Sequence, residues 1–115
     1  MTVTIYHNPR CSKSRQTLNL LKESGYTPEI IEYLVDPPSK EKLKNLLSML
    51  ALQPRELLRT KEATYKELNL VDPNKNDTEI IQAMIDNPIL IERPIVVSNK
   101  RAALGRPPEA VLDIL

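Results

Sequence analysis

The chain has 115 residues, 41% of them apolar and 27% charged, with a net charge of +1 and neither Trp nor Phe. This is the commonest size for one domain, and Leu, Ile and Val must build its core; the near-neutral balance gives no support for nucleic-acid binding, which shows a basic domain or stripe. The single cysteine excludes an internal disulfide framework, and no apolar run reaches the ~20 residues of a membrane helix.

Met1-Thr2-Val3-Thr4-Ile5-Tyr6 opens the chain without a basic region and a longer apolar stretch. That argues against a signal peptide. The expectation is a cytoplasmic monomer, in a compartment where a free thiol stays reduced. Val3 to Tyr6 is β-branched and predicts a first strand. Asn8-Pro9 signals a turn. Cys11 or Ser12 then caps a helix that runs through Leu18 and Leu21 until Gly25 stops it. Glu29 to Leu34 predicts a second strand. So short a β-α-β unit favours a parallel pair.

Asp36-Pro37-Pro38-Ser39 is a hard break. Ser39 caps a helix with Leu43, Leu46, Leu47 and Leu50 on one face. Pro54 opens a helix ending near Leu57-Leu58-Arg59. Tyr65 to Leu70 predicts a short helix, and Asp77-Thr78 starts another that Asn87-Pro88 closes. Ile95-Val96-Val97 is the clearest strand. Asn99-Lys100 turns it into an antiparallel partner, Arg101 to Leu104. Pro107-Pro108-Glu109 opens a last helix through Leu115. The order β-α-β, helices, β-β-α predicts an α/β fold with a mixed four-stranded sheet. We expect one domain over 1–115 with a helical insertion over about 39–87.

The chemistry gathers in Tyr6-His7-Asn8-Pro9-Arg10-Cys11-Ser12-Lys13-Ser14-Arg15, which holds the only cysteine and the only histidine. Cys11 falls where a strand turns into a helix N-terminus. Unpaired N–H groups and the helix dipole there favour a thiolate or an oxyanion. The bland alternative is a buried, inert cysteine beside a turn, with His7 in a structural role only. A cysteine-phosphatase loop is excluded, because the position six after Cys11 is Thr17 and not Arg. Ser14 occupies the second position of a Cys-x-x-Cys pattern, so a self-contained dithiol mechanism is impossible. With His7 and Cys11 alone, a metal site is not expected. Arg59, Arg93 and Arg106 stand in apolar or proline-bounded settings. Each is either a fork for a tetrahedral oxyanion or a surface salt-bridge residue.

The Cys11 run, Leu57-Leu58-Arg59, Asn87-Pro88-Ile89-Leu90-Ile91-Glu92-Arg93-Pro94-Ile95-Val96-Val97 and Gly105-Arg106-Pro107-Pro108-Glu109 together resemble the glutaredoxin-linked arsenate reductase family. The likeness spans essentially the whole chain and is greatest to the housekeeping, chromosomally encoded branch. It implies a thioredoxin-like fold with a helical insertion. It implies Cys11 as nucleophile, His7 as an aid to thiol ionisation, and Arg59, Arg93 and Arg106 as binders of arsenate and its adduct. Pro94 matches a proline with a cis peptide bond beside the site, and X–Pro bonds alone make cis cheap. The implied reaction runs through a covalent Cys11 thiol–arsenate adduct to arsenite. Glutathione is then a co-substrate, glutaredoxin a partner, and no cofactor is bound. Members encoded with arsenic-resistance operons tend to have Gly-Thr-Ser-Arg after the cysteine; here it is Ser12-Lys13-Ser14-Arg15. Two rivals share the fold: a redox-related regulatory module that binds RNA polymerase, and a glutathione-dependent thiol oxidoreductase acting on another oxyanion. Ser14 in place of a second cysteine argues against the disulfide switch of the first.

Overall fold

A computed structural model describes residues 2–115; Met1, which opens the run weighed against a leader peptide, lies outside the described residues. The chain forms two compact units. One joins the chain up to Asp36 with Arg93–Leu115, and the other is Pro37–Glu92.

The first unit is built on a four-stranded sheet. Its strands are β1 (Val3–Tyr6), β2 (Glu29–Ile31), β3 (Ile95–Ser98) and β4 (Arg101–Leu104), in the order β2-β1-β3-β4. β1 pairs parallel with β2 and antiparallel with β3, and β3 pairs antiparallel with β4. This is the mixed sheet expected from the sequence. The central strands are the most β-branched, and Ile5, Ile95 and Val96 are buried on them. Helix α1 (Ser12–Glu23) crosses from β1 to β2. Val3, Ile5, Leu21, Val96, Val111 and Ile114 form the core, with Leu18, Tyr26 and Ala103 packed against it. The β3–β4 hairpin turns at Asn99 and Lys100, both with positive φ (51° and 61°), the two-residue geometry that matches strand twist.

The second unit contains α2 (Lys40–Leu50), α3 (Ala63–Glu67) and α4 (Asp77–Asp86), with 3₁₀ turns at Pro54–Leu57 and Pro88–Leu90. Ser39 caps α2 by accepting from the Lys42 amide at 3.2 Å. Asn76 and Glu79 form a reciprocal capping box on α4. Leu43, Leu46 and Leu47 of α2 and Ile80, Ile81 and Met84 of α4 are buried.

Four elements differ from the sequence reading, and the first is the helix expected from Pro54, which is a single 3₁₀ turn ending at Leu57. β2 stops at Ile31 rather than Leu34, because Glu32 accepts from the Val35 and Asp36 amides and turns the chain. That turn buries Tyr33 but leaves Val35 84% exposed, so the apolar run is not one continuous strand. The helix expected at 65–70 lies at Ala63–Glu67; Asn69 takes a left-handed conformation (φ 54°), which asparagine tolerates, and ends it. The last helix is a 3₁₀ stretch over Pro108–Ile114. Among the described residues, no helix is long and apolar enough to cross a membrane.

Candidate active site

Strand register brings distant segments to one end of the sheet. Tyr6, the last residue of β1, pairs with Ile95, the first of β3, and Ile95 pairs with Leu104, the last of β4. The cysteine loop leaves that row after Tyr6. Arg93 enters it two residues before Ile95, and Arg106 leaves it two residues after Leu104.

The loop from His7 to Cys11 is tied down by polar groups. His7, Asn8 and Ser14 are buried. Asn8 Oδ1 accepts from the Arg10 amide at 3.0 Å, and the Asn8 carbonyl accepts from the Cys11 amide at 3.0 Å. From the first turn of α1, Ser14 Oγ accepts from the Asn8 amide at 3.0 Å and bonds His7 Nδ1 at 2.6 Å. A hydroxyl that donates to Nδ1 leaves its oxygen free for Asn8, with the ring proton on Nε2. Burial is the main influence on His7 and lowers its pKa. Glu32 opposes that, while Arg15 and Lys22 add to it.

Cys11 is the N-cap of α1; its sulfur faces the Ser14 and Lys13 amides of the first turn without a cap bond of full hydrogen-bond geometry. Its sulfur is partly exposed. Burial, the largest single influence, raises the thiol pKa. The Ser14 amide, the Arg93 guanidinium by hydrogen bond and by charge, and the Lys13 amide together outweigh it, and the net pKa is lowered. The sulfur is therefore held by a helix N-terminus on one side and by a cation on the other.

Arg93 and Arg106 both precede cis prolines, in Arg93-Pro94 and Arg106-Pro107. The first bond was expected from the family likeness; the second was not. Arg93 is buried (8% exposed), whereas Arg106 is exposed. Arg106 Nε donates to the Arg93 carbonyl at 2.8 Å, and its Nη2 reaches Cys11 Sγ at 3.7 Å. Between them, the Gly105 amide donates to the Pro94 carbonyl at 2.9 Å. The unit thus places Cys11, His7, Ser14, Arg93, Pro94 and Arg106 in one constellation. Arg15, which follows the cysteine closely in sequence, takes another role: its Nη1 donates to the Pro9 carbonyl at 2.9 Å.

Arg59 belongs to the helical unit. Its Nε lies 3.3 Å from Glu62 Oε1 and its Nη1 lies 3.8 Å from Glu92 Oε1. The sequence reading did not single out these carboxylates, nor Asn8 as an organiser of the loop. The Asn-Pro dipeptide was the only signal for Asn8, and Glu62 and Glu92 look like ordinary surface charges. Among the described residues, no group of His, Cys, Asp and Glu gathers as metal ligands do. A partly exposed thiolate with guanidinium forks and helix amides around it is suited to attack on a tetrahedral oxyanion.

The model of the ArsC family matches residues 6–114. An uncharacterized protein from Escherichia coli, YfgD, is 58% identical over 98% of this chain and 96% of its own. The arsenate reductase of Rhizobium meliloti is 46% identical over 100% of this chain and 82% of its own. The solved structure of an arsenate reductase from Vibrio cholerae superposes with a TM-score of 0.98 at 54% identity, covering 100% of this chain and 98% of that one.

Proposed function

The chain belongs to the ArsC family, and on that premise we propose that it is an arsenate reductase in which Cys11 is the nucleophile. One observation carries the reading: the Cys11 sulfur meets the Lys13 and Ser14 amides, Arg93 and Arg106 at once. Names of relatives such as the R. meliloti protein support the substrate.

Cys11 thiolate attacks the arsenic of arsenate, and a sulfur–arsenic bond forms as one arsenic–oxygen bond breaks and water leaves. Arg93 and Arg106 neutralise the remaining oxygens as charge shifts in the transition state. By family likeness Arg59 belongs to the same anion-binding set. Reduction of As(V) to As(III) takes two electrons. The chain has one cysteine, which each turnover must regenerate. Both electrons therefore come from outside thiols: glutathione replaces a second arsenic oxygen, which leaves as water, and a glutaredoxin thiol then takes that sulfur as a mixed disulfide, the arsenic–sulfur electron pair staying on arsenic as As(III). Water then cleaves the Cys11–arsenic bond and releases arsenite. His7 acts through Ser14, fixing the residue whose amide faces the sulfur. Neither step asks for a metal.

The test is arsenate-dependent NADPH oxidation in an assay coupled through glutathione, glutaredoxin and glutathione reductase. Wild type turns over, and Cys11→Ser does not while keeping its circular dichroism and melting transition. Turnover by folded Cys11→Ser sinks the nucleophile assignment. A wild type that turns over without glutaredoxin sinks the proposed electron source.

A further inference from the structure

Arg59 lies beside two carboxylates of its own unit, and the backbone sets that arrangement. Leu58 and Ile91 form an isolated antiparallel bridge. The Arg59 amide donates to the Leu90 carbonyl at 2.8 Å, and the Glu92 amide donates to the Leu57 carbonyl at 2.9 Å. Arg59 and Glu92 therefore project from one face of this short ladder as diagonal neighbours, within reach of long side chains. Glu62 follows three residues after Arg59, where its amide donates to the Arg59 carbonyl at 3.3 Å. The side chains are part-buried: 22% exposed for Arg59, 27% for Glu62 and 25% for Glu92. The two carboxylates approach different nitrogens: Glu62 lies 3.3 Å from Nε, whereas Glu92, 3.8 Å from Nη1, is a neighbouring charge and not a hydrogen-bond partner of that buried nitrogen. Those nitrogens are among the donors a guanidinium offers to an oxyanion in a bidentate pair.

We propose that Glu62 and Glu92 set the oxyanion affinity of this protein by flanking Arg59 with negative charge in the resting state. The inference rests on Arg59 being an anion-binding residue, as read above. An incoming tetrahedral oxyanion that takes Nε must displace the Glu62 carboxylate, and it meets two like charges beside the fork. The cost is shared by every such anion, so the pair imposes an affinity threshold on the whole class. Nothing need fold or unfold; only two side chains change partner.

The probe is sulfate, titrated calorimetrically into the full chain at low ionic strength. Glu62→Gln and Glu92→Gln each tighten binding by about two- to five-fold, in keeping with the modest strength of part-exposed ion pairs. The double variant gains about tenfold. Glu41→Gln, an exposed position in the first turn of α2, is the charge-matched control and shifts binding by less than either. All gains vanish when Arg59→Ala is added. A double variant that binds no tighter than Glu41→Gln overturns the inference and leaves the Arg59 assignment standing. So does a gain that persists beside Arg59→Ala, which would mark a long-range charge effect. Arg59→Ala binding sulfate as wild type does would overturn the assignment of Arg59 itself, and the inference with it.

Discussion

Ser14 is fully buried, and its hydroxyl serves two other buried groups, the Asn8 amide and the His7 ring. Removing it strands both. Ser14→Ala is expected to cost about 1–3 kcal/mol in urea unfolding, the penalty of leaving buried polar groups unmet. It should also slow alkylation of Cys11, because the loop that aims the sulfur at the Ser14 amide loosens. Arg93 acts on the thiol more directly. Its guanidinium both hydrogen-bonds the sulfur and lies beside it as a charge. Arg93→Ala is therefore expected to raise the thiol pKa toward the ordinary ~8.5, read from the pH dependence of iodoacetamide alkylation. An unmoved titration would show that the helix amides alone hold the thiolate.

At the scale of elements, the site depends on how closely α1 approaches the Pro94 loop, and Gly105 marks that approach. A Cβ on Gly105 would fall 2.6 Å from Pro94 Cγ and also collide with the Thr17 side chain. Thr17 is itself buried on α1 and bonds the Lys13 carbonyl at 2.8 Å. Gly105→Ala must push the helix or the proline loop aside. It is expected to cost about 1–3 kcal/mol, the usual toll of overpacking, and to reduce Cys11 alkylation rate alongside. Alanine tolerated at both readouts would mean that the loop yields freely. The sequence could not announce this contact. Gly105 and Thr17 lie far apart in the chain, and a glycine before Arg-Pro looks like any turn. The strands and the three longer helices, α1, α2 and α4, were legible, because β-branched clusters and regularly spaced leucines and isoleucines report their own burial. Ser39 and Asn87-Pro88 marked boundaries through capping and proline chemistry. Tyr33 misled, since an aromatic that ends a strand in a turn has the same local pattern as one inside it. Arg55 was also silent. It donates to the carbonyls of Leu70, Asp72 and Lys75. Such a clamp is visible only once the loop has folded over it.

At the scale of the whole molecule, His7, Cys11 and Tyr6 of the sheet unit each tie stability to pH. His7 has a lowered pKa, chiefly through burial, so the folded state favours the neutral ring. Its contribution is present above the ordinary 6.5 and is lost as pH falls through the lower folded value. Cys11 has a lowered pKa as well, so the folded state favours the thiolate. That contribution is complete above the unfolded thiol's ~8.5 and fades as pH falls through the folded value. Tyr6 runs the other way. Burial first, then Glu29 and Asp36, raise its phenol above 10.0, and its share is lost as pH rises through the folded value. Unfolding free energy should therefore climb from about pH 6 to about pH 8.5 and turn down above 10. Urea titrations across that range check the shape, and variants assign the parts. Cys11→Ser should flatten the rise on the alkaline side of neutrality while keeping the acid-side loss. His7→Gln should do the reverse. A Cys11→Ser curve parallel to wild type from pH 7 to 9 would mean that the thiolate gains nothing from folding. The amides of Lys13 and Ser14 and the guanidinium of Arg93 would then not be stabilising it, and the case for a nucleophile poised at neutral pH would fail with them.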